Sequence, residues 1–249
     1  MFTLKSEPQD KLTIIEHGFH LYKHIFWRAV PYSLFAAAFI FTPQLFIDIK
    51  SPFSLAELAQ NLRFIISALF FWLFSFILLS ALIFRIYCIT AQLPLTLMDS
   101  IVHALSKLVP LLLLGVLYAL MVISGTLFLI VPGVILAISL MFSFILFITD
   151  NQNVLQTLLT SHRLVWGNWW HTLFVLSFPL LIDIAVSFSM LLCLVTLAKT
   201  FLISTTHLYL AVCISNVLIQ ALFIPLIFSI ALILLNDLRA RQGAPLPRW

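Results

Sequence analysis

One acidic residue falls in the middle of an apolar run. Asp183 is the only Asp, Glu, Lys or Arg between residues 170 and 197. A carboxylate in hydrocarbon costs about 2.5–3.5 kcal/mol, so its presence indicates a function or a specific partner. Asn216 and Gln220 are four residues apart in the next apolar run and share one helix face. If the chain reverses near Phe201, Asp183 and Gln220 lie at the same depth. With Asn216 they form a candidate polar site near the bilayer midplane.

Three interpretations of Asp183 are open at this point. A protonated carboxyl group could hydrogen-bond Gln220 or Ser187 and clamp the two helices together. Asp183 could instead handle protons or a substrate, because transporters often bind substrates near the midplane. It could also face water or a partner protein. Only the surroundings of the side chain distinguish these interpretations.

A second group of chemically capable residues lies near the N-terminus. Glu16, His17, His20 and His24 fall on one polar helical face. His20 and His24 are spaced so that both could contact one metal ion. A helix in an aqueous interface has nothing to exclude water from such a site, so we interpret the run as a solvated polar face and predict no metal site.

Motifs of the common enzyme classes do not occur in the sequence. There is no H-E-x-x-H, no G-x-S-x-G, no P-loop and no dinucleotide-binding glycine run. A single intramembrane carboxylate also lacks the second acid that an aspartyl protease needs. We therefore predict a protein that is not an enzyme and has no cofactor.

The composition is that of a membrane protein. Hydrophobic residues make up 63% of the 249 residues and charged residues 9%, against roughly 45–50% and about 25% in soluble domains. With so few charges, the net charge of +4 indicates membrane topology and not nucleic-acid binding. The three cysteines form no C-x-x-C pair, so we predict neither a disulfide frame nor a metal site.

Charged residues separate apolar runs of roughly 20 residues, the length that crosses the hydrocarbon. One run, residues 108–149, is twice that length and contains Pro132-Gly133, which we interpret as a type II turn that reverses the chain. We predict an all-α protein with six transmembrane helices. The expected spans are 29–47, 64–84, two within 108–149, 170–197 and 208–235.

The distribution of basic residues predicts the orientation. If the N-terminus is cytoplasmic, only Lys50, Arg63 and Lys199 of the 13 Lys and Arg residues lie outside. The positive-inside rule therefore favours cytoplasmic N- and C-termini. Acidic residues precede the first apolar run, so we expect no cleaved signal peptide.

Residues 160–170, TSHRLVWGNWW, end an amphipathic segment that begins at Asn153. Its apolar residues recur at helical spacing, which predicts a helix lying in the headgroup layer. Arg163 then points towards lipid phosphates, while Trp166, Trp169 and Trp170 mark the interface where the fifth span begins.

Two further segments show the same amphipathic pattern, residues 12–26 and residues 96–108, and the second of these ends with Lys107 at the headgroups. Thr13 and Glu16 have the spacing of a capping box for the first helix. Ser54 and Glu57 have it for a short helix in the first outside loop. We predict a single membrane domain built from three units, each an interfacial helix plus a transmembrane hairpin. The units are approximately residues 11–84, 95–149 and 152–236, and residues 237–249 form a flexible cytoplasmic tail.

The segment from Ile130 to Trp170 resembles the YciC family of bacterial inner-membrane proteins. The resemblance lies in Val131-Pro132-Gly133, in a span that closes at Asp150, and in S-H-R-L-V-W at residues 161–166. It implies a location in the inner membrane of a Gram-negative bacterium. The family has no known biochemical function, so the resemblance implies no activity.

These observations lead to two functional hypotheses. The first is a non-enzymatic integral inner-membrane protein that supports envelope or membrane homeostasis, with membrane lipids and other inner-membrane proteins as partners. The second is a transporter or lipid-handling protein, in which six spans enclose a polar cavity around Asp183. A sealed carboxylate favours the first hypothesis and a water-accessible cavity the second.

Overall fold

The computed structural model describes residues 7–43, 62–93, 96–150, 152–201 and 204–243, and within these ranges all regular secondary structure is helical. The predicted helix at Ser54–Glu57 lies outside the described residues. The helices in chain order are α1 Lys11–Phe41, α2 Leu62–Thr90, α3 Leu97–Ser106, α4 Leu108–Phe128, α5 Ile130–Leu140, α6 Ser143–Asp150, α7 Val154–Val165, α8 Trp169–Thr200 and α9 Thr205–Arg241.

The described residues contain six segments that are long and apolar enough to cross a membrane. They are α1, α2, α4, α5 with α6, α8 and α9. The shortest have 21 residues and are about 31 Å long, close to the hydrocarbon thickness of roughly 30 Å. The predicted all-α class and the number of spans are confirmed, and the chain has the features of a multi-pass membrane protein.

The first predicted unit does not contain a separate interfacial helix. Residues 12–26 continue into the first span as one helix of 31 residues, α1. Its first described helical residue is Lys11, and Asp10 is the N-cap residue, so the predicted capping box of Thr13 and Glu16 is wrong. Leu12 is 67% exposed and Ile14 is buried. The buried stripe is therefore rotated from the predicted apolar face, because α1 packs along a neighbouring helix.

The neighbour of α1 is α9, and the two run antiparallel in close contact. A Cβ atom added to Gly18 would lie 2.5 Å from Ile230 Cγ1 and 2.9 Å from Ile230 Cα, so only glycine permits this approach. Further along, Pro225 has no N–H and leaves the carbonyl of Ala221 without its helical donor. Ser33 Oγ on α1 donates to that oxygen at 2.7 Å. A backbone group freed inside an apolar helix is thus satisfied by the neighbouring helix.

The reversal between α4 and α5 occurs before Pro132-Gly133, so the predicted type II turn is wrong. Leu129 takes an extended conformation between the two helices (φ −163°, ψ 147°), and Pro132 lies in the first turn of α5. That position tolerates proline because its N–H would have no helical acceptor. Gly133 permits close packing: an added Cβ atom would lie 2.1 Å from Thr126 Cγ2.

The two short amphipathic helices α3 and α7 expose apolar residues and bury small ones, and α7 also buries Leu158, Leu164 and Val165. In α3, Leu97, Met98 and Val102 are exposed while Ser100 and Ala104 are buried. Thr96 and Asp99 form the capping box that begins this helix. In α7, Leu155 and Leu159 are exposed, as is Trp166 at its C-cap. The buried Ser161 donates from Oγ to the carbonyl of Ser139 at 2.7 Å. Their exposed faces are suited to acyl chains and not to water.

The last helix extends into the predicted tail. α9 continues to Arg241, and Asp237, Leu238 and Arg239 are buried. The first five residues of the predicted flexible tail therefore belong to the packed bundle. Hydrogen bonds from their side chains, described below, explain why they stay in the helix.

Most of α8 is not packed into the helical bundle. No residue of its most apolar 18-residue stretch is buried, compared with 56% of the corresponding stretch of α9. Near its start, α8 also contacts α1 and α5, but α9 is its main neighbour. The α8–α9 hairpin therefore presents a long lateral surface, and the candidate polar site lies on it.

Candidate functional site

The structure brings Asp183 and Gln220 into direct contact. Gln220 Nε2 donates to both carboxylate oxygens, at 3.1 Å to Oδ1 and 3.0 Å to Oδ2. The two helices that carry these residues are joined at residues 201–204, close to the predicted reversal at Phe201. Equal distances from the reversal thus place the two side chains opposite each other.

The predicted third residue, Asn216, lines the same groove. The groove has a volume of about 350 Å³, and its lining also includes Ser187 and Ser215. Every lining residue belongs to α8 or α9. The transporter hypothesis expected six spans around a cavity, but this groove is bounded by two helices. The first hypothesis expected a carboxylate sealed between helices, and Asp183 is not sealed.

The groove lies on the lateral surface of the protein and not between packed helices. Ile184, Phe188 and Leu191, which line it, are all exposed. Asp183 itself is half-buried. It lies 14 residues after the start of α8 and 17 before its end, so it is about 21 and 26 Å from the two ends of the helix. A polar patch with one carboxylate therefore opens sideways, midway along an apolar hairpin.

A second carboxylate, Asp237, was missed by the sequence analysis. Its side chain is 0% exposed and accepts three hydrogen bonds. Gln9 N donates at 2.6 Å, His171 Nε2 lies at 3.1 Å, and Arg241 Nε donates at 2.7 Å. These contacts tie the chain before α1 to the start of α8 and the end of α9.

An ion pair extends this group to α6. Arg239 Nη2 donates to Asp150 Oδ2, and Arg241 also donates to the carbonyl of Gln9. We call these six residues the charged cluster: Gln9, Asp150, His171, Asp237, Arg239 and Arg241. The cluster also shows that both ends of the described chain lie at the same end of the bundle. The i, i+4 spacing of Asp237 and Arg241 was the feature of the sequence that could have indicated this ion pair.

The predicted basic and aromatic interface lies beside the charged cluster. Gln242 Nε2 donates to the carbonyl of Arg163 at 2.7 Å, while the Arg163 side chain is exposed. Trp166 and Trp170 are exposed, and Trp169 packs against the core with its ring 4.8 Å from that of Trp170. Arg163, Trp166 and Trp170 thus present their side chains outward, whereas Trp169 does not.

Lys107, the other predicted headgroup contact, is turned inward. Its Nζ donates to the carbonyl of Phe147 at 3.5 Å and lies 5.6 Å from the centre of the Phe147 ring. Burial lowers the pKa of this ammonium group. Nearby, His103 stacks on Phe84 with ring centres 3.8 Å apart. Burial is the main cause of its lowered pKa, and the Lys107 charge adds to it.

The N-terminal histidine run does not converge. His17 Nδ1 lies 2.7 Å from Gln9 Oε1, and Glu16, His20 and His24 are exposed. Within the described ranges, no three His, Cys, Asp or Glu residues are placed to hold a metal ion together.

Comparisons with known proteins found no match among protein-family models, curated proteins or solved structures. The resemblance of residues 130–170 to the YciC family stays a prediction from the residues that carry it.

Proposed function

We propose that this chain is a non-enzymatic integral protein of a bacterial inner membrane, which supports envelope or membrane homeostasis by binding other membrane proteins. The observation that carries the proposal is the lateral groove at Asp183. Lipid chains offer no hydrogen bonds to a carboxylate, and polar residues within membranes usually face protein or water. A partner protein that covers the α8–α9 surface would remove the free-energy cost of exposing this carboxylate to hydrocarbon.

Other features support the location and orientation. Both described chain ends lie at the end of the bundle that holds the charged cluster, and the distribution of basic residues favours the cytoplasm for that end. α3 and α7 carry exposed apolar stripes suited to rest on the cytoplasmic leaflet. The resemblance to the YciC family supports a bacterial inner membrane.

Photocrosslinking from the groove tests this proposal. A benzophenone analogue of phenylalanine replaces Phe188, which lines the groove and is 60% exposed. The control carries the same analogue at Phe70 on α2, which is 54% exposed. In native membranes we expect a discrete protein adduct from position 188 and only lipid adducts from position 70. Equal adduct patterns at the two positions contradict the proposal.

The alternative, a transporter or lipid-handling protein, is favoured by the polar lining of the groove. Native mass spectrometry of protein extracted in its own lipid distinguishes the two. A stoichiometric lipid or small molecule that the wild type holds and Asp183→Asn loses would favour the alternative. A chain that carries another membrane protein favours the proposed function.

A further inference from the structure

We infer that the groove at Asp183 binds a lysine or arginine side chain carried within the membrane by a helix of a different protein. The groove between α8 and α9 joins one carboxylate to an apolar rim and opens laterally. This inference rests on the proposed function and adds the chemistry of the partner.

The first step concerns hydrogen-bonding capacity. A carboxylate has two oxygens and about four acceptor sites. In the part of the chain that the structure describes, one side-chain amide group, with Gln220 Nε2 as the donor, serves both oxygens of Asp183. Gln220 is neutral, so it brings no positive charge to the carboxylate. A cation that enters from the open side would supply both a charge and the missing donors.

The second step concerns the walls of the groove. Ile184, Phe188 and Leu191 are exposed apolar residues around the polar centre. The chemical complement of such a surface is an apolar helix with one basic residue. Lys and Arg both have long apolar stems, which can lie along the rim while the charge reaches the carboxylate.

The third step excludes a second copy of this chain as the source of the cation. No Lys or Arg occurs in residues 29–43, 65–84, 108–150, 170–198 or 204–238. These ranges contain the apolar parts of all six candidate spans. A second copy therefore has no basic residue within those parts to offer Asp183. Arg28 of α1 lies five residues from Ser33, which is level with Ala221 and hence with the groove, or about 7.5 Å along the helix, so we assign the cation to a different protein.

The test uses designed transmembrane peptides as probes. One is an apolar helix of about 20 residues with a single central lysine, and its matched control has leucine at that position. A donor dye is attached at Cys193, which is exposed, whereas Cys88 and Cys213 are buried. The peptides carry an acceptor, and energy transfer is titrated in phosphatidylcholine vesicles.

We expect wild-type protein to bind the lysine peptide at least tenfold more tightly than the leucine peptide. Asp183→Asn keeps an oxygen for Gln220 but removes the charge, so it should bind both peptides equally. Ser189→Ala is the control, because Ser189 is exposed on the same helix and its hydroxyl donates to the carbonyl of Ala185, four residues earlier in that helix. It should behave as the wild type does.

A charge exchange sharpens the test. Asp183→Lys should prefer a peptide with a central glutamate over the leucine peptide. The inference is overturned if wild type binds the lysine and leucine peptides equally, or if Asp183→Asn keeps the preference. It is also overturned if phosphatidylethanolamine vesicles abolish the preference, because the lipid amine would then be the occupant.

The outcome can be separated from that of the proposed function. A protein adduct from position 188 without any lysine preference would leave the proposed function standing and remove this inference. Absence of the adduct would count against the proposed function itself.

Discussion

Asp183 and Asp237 lie in the two helices of one hairpin, α8 and α9, but have different surroundings. Asp237 is fully buried and accepts hydrogen bonds from a backbone amide, a histidine and an arginine on three parts of the chain. Asp183 is half-buried, and its described partner is one neutral amide. A carboxylate in this apolar chain serves the fold where the chain supplies its donors. Where the chain does not, the carboxylate is available to another molecule.

The largest expected effect comes from removing Asp237, the carboxylate that accepts three hydrogen bonds. Asp237→Ala leaves Arg241 and His171 next to a buried site without their acceptor. Arg241 is partly exposed, but three donors lose a charged acceptor, and hydrogen bonds to charged groups contribute about 1.5–3 kcal/mol each, so the combined loss is about 3 kcal/mol. We expect a loss of that size in the free energy of unfolding, measured in detergent micelles. A loss no larger than that of Asp183→Asn would contradict the conclusion that Asp237 stabilises the fold more than Asp183 does.

The next effect tests the contact between α1 and α9, which carries the charged cluster at its end. Gly18→Ala places a Cβ atom against Ile230, and overpacking of this kind costs about 1–3 kcal/mol. Gly115→Ala is the matched control, because its Cβ atom would meet nothing closer than Phe76 Cζ at 3.8 Å. The control should be neutral or stabilising in the same unfolding experiment. Equal destabilisation by both variants would contradict the close packing described here.

A smaller effect is expected at the carbonyl freed by Pro225. Ser33→Ala removes the donor to Ala221 O, and hydrogen bonds between transmembrane helices contribute about 0.6 kcal/mol on average and at most about 1.7. Ser177→Ala is the control, since Ser177 bonds the carbonyl of Phe174 on its own helix. If Pro225→Ala restores the helical donor, the double variant with Ser33→Ala should recover most of the loss.

Asp183→Asn should change the unfolding free energy by less than about 0.5 kcal/mol, the usual range away from packed features. Asparagine still offers an oxygen to Gln220. A loss comparable to that of Asp237→Ala would mean that the charge of Asp183 serves the fold and not a partner, which contradicts the inference drawn for the groove.

The smallest effect concerns pH at α3. The pKa of His103 is lowered in the folded protein, so the unfolded chain binds more protons below its ordinary value of 6.5. The packing of α3 on α2 should therefore be complete above pH 6.5 and weaken as the pH falls below it. Hydrogen exchange of the α3 amides at pH 7.5 and 5.5 measures this. His103→Phe should remove the pH dependence, and persistence of the effect in that variant would assign it to another group.

The sequence by itself determined the features that depend on local spacing. Runs of apolar residues predicted six spans, helical periodicity predicted α3 and α7, and equal distances from the reversal near Phe201 predicted the meeting of Asp183 and Gln220. Hydrophobicity and helical period are properties of neighbouring residues, so these features can be recognised without a fold.

The tertiary structure decided which helix faces are buried and which polar groups find hydrogen-bond partners. It made α1 continuous and turned Ile14 inward, because α9 lies along that side of the helix. It placed the reversal at Leu129 and used Gly133 for close packing against Thr126. It buried Asp237 among donors from distant segments and left the groove at Asp183 open. Burial and hydrogen bonding join residues as far apart in the chain as Gln9 and Asp237, which are 228 positions apart, and no local pattern records which of them will meet.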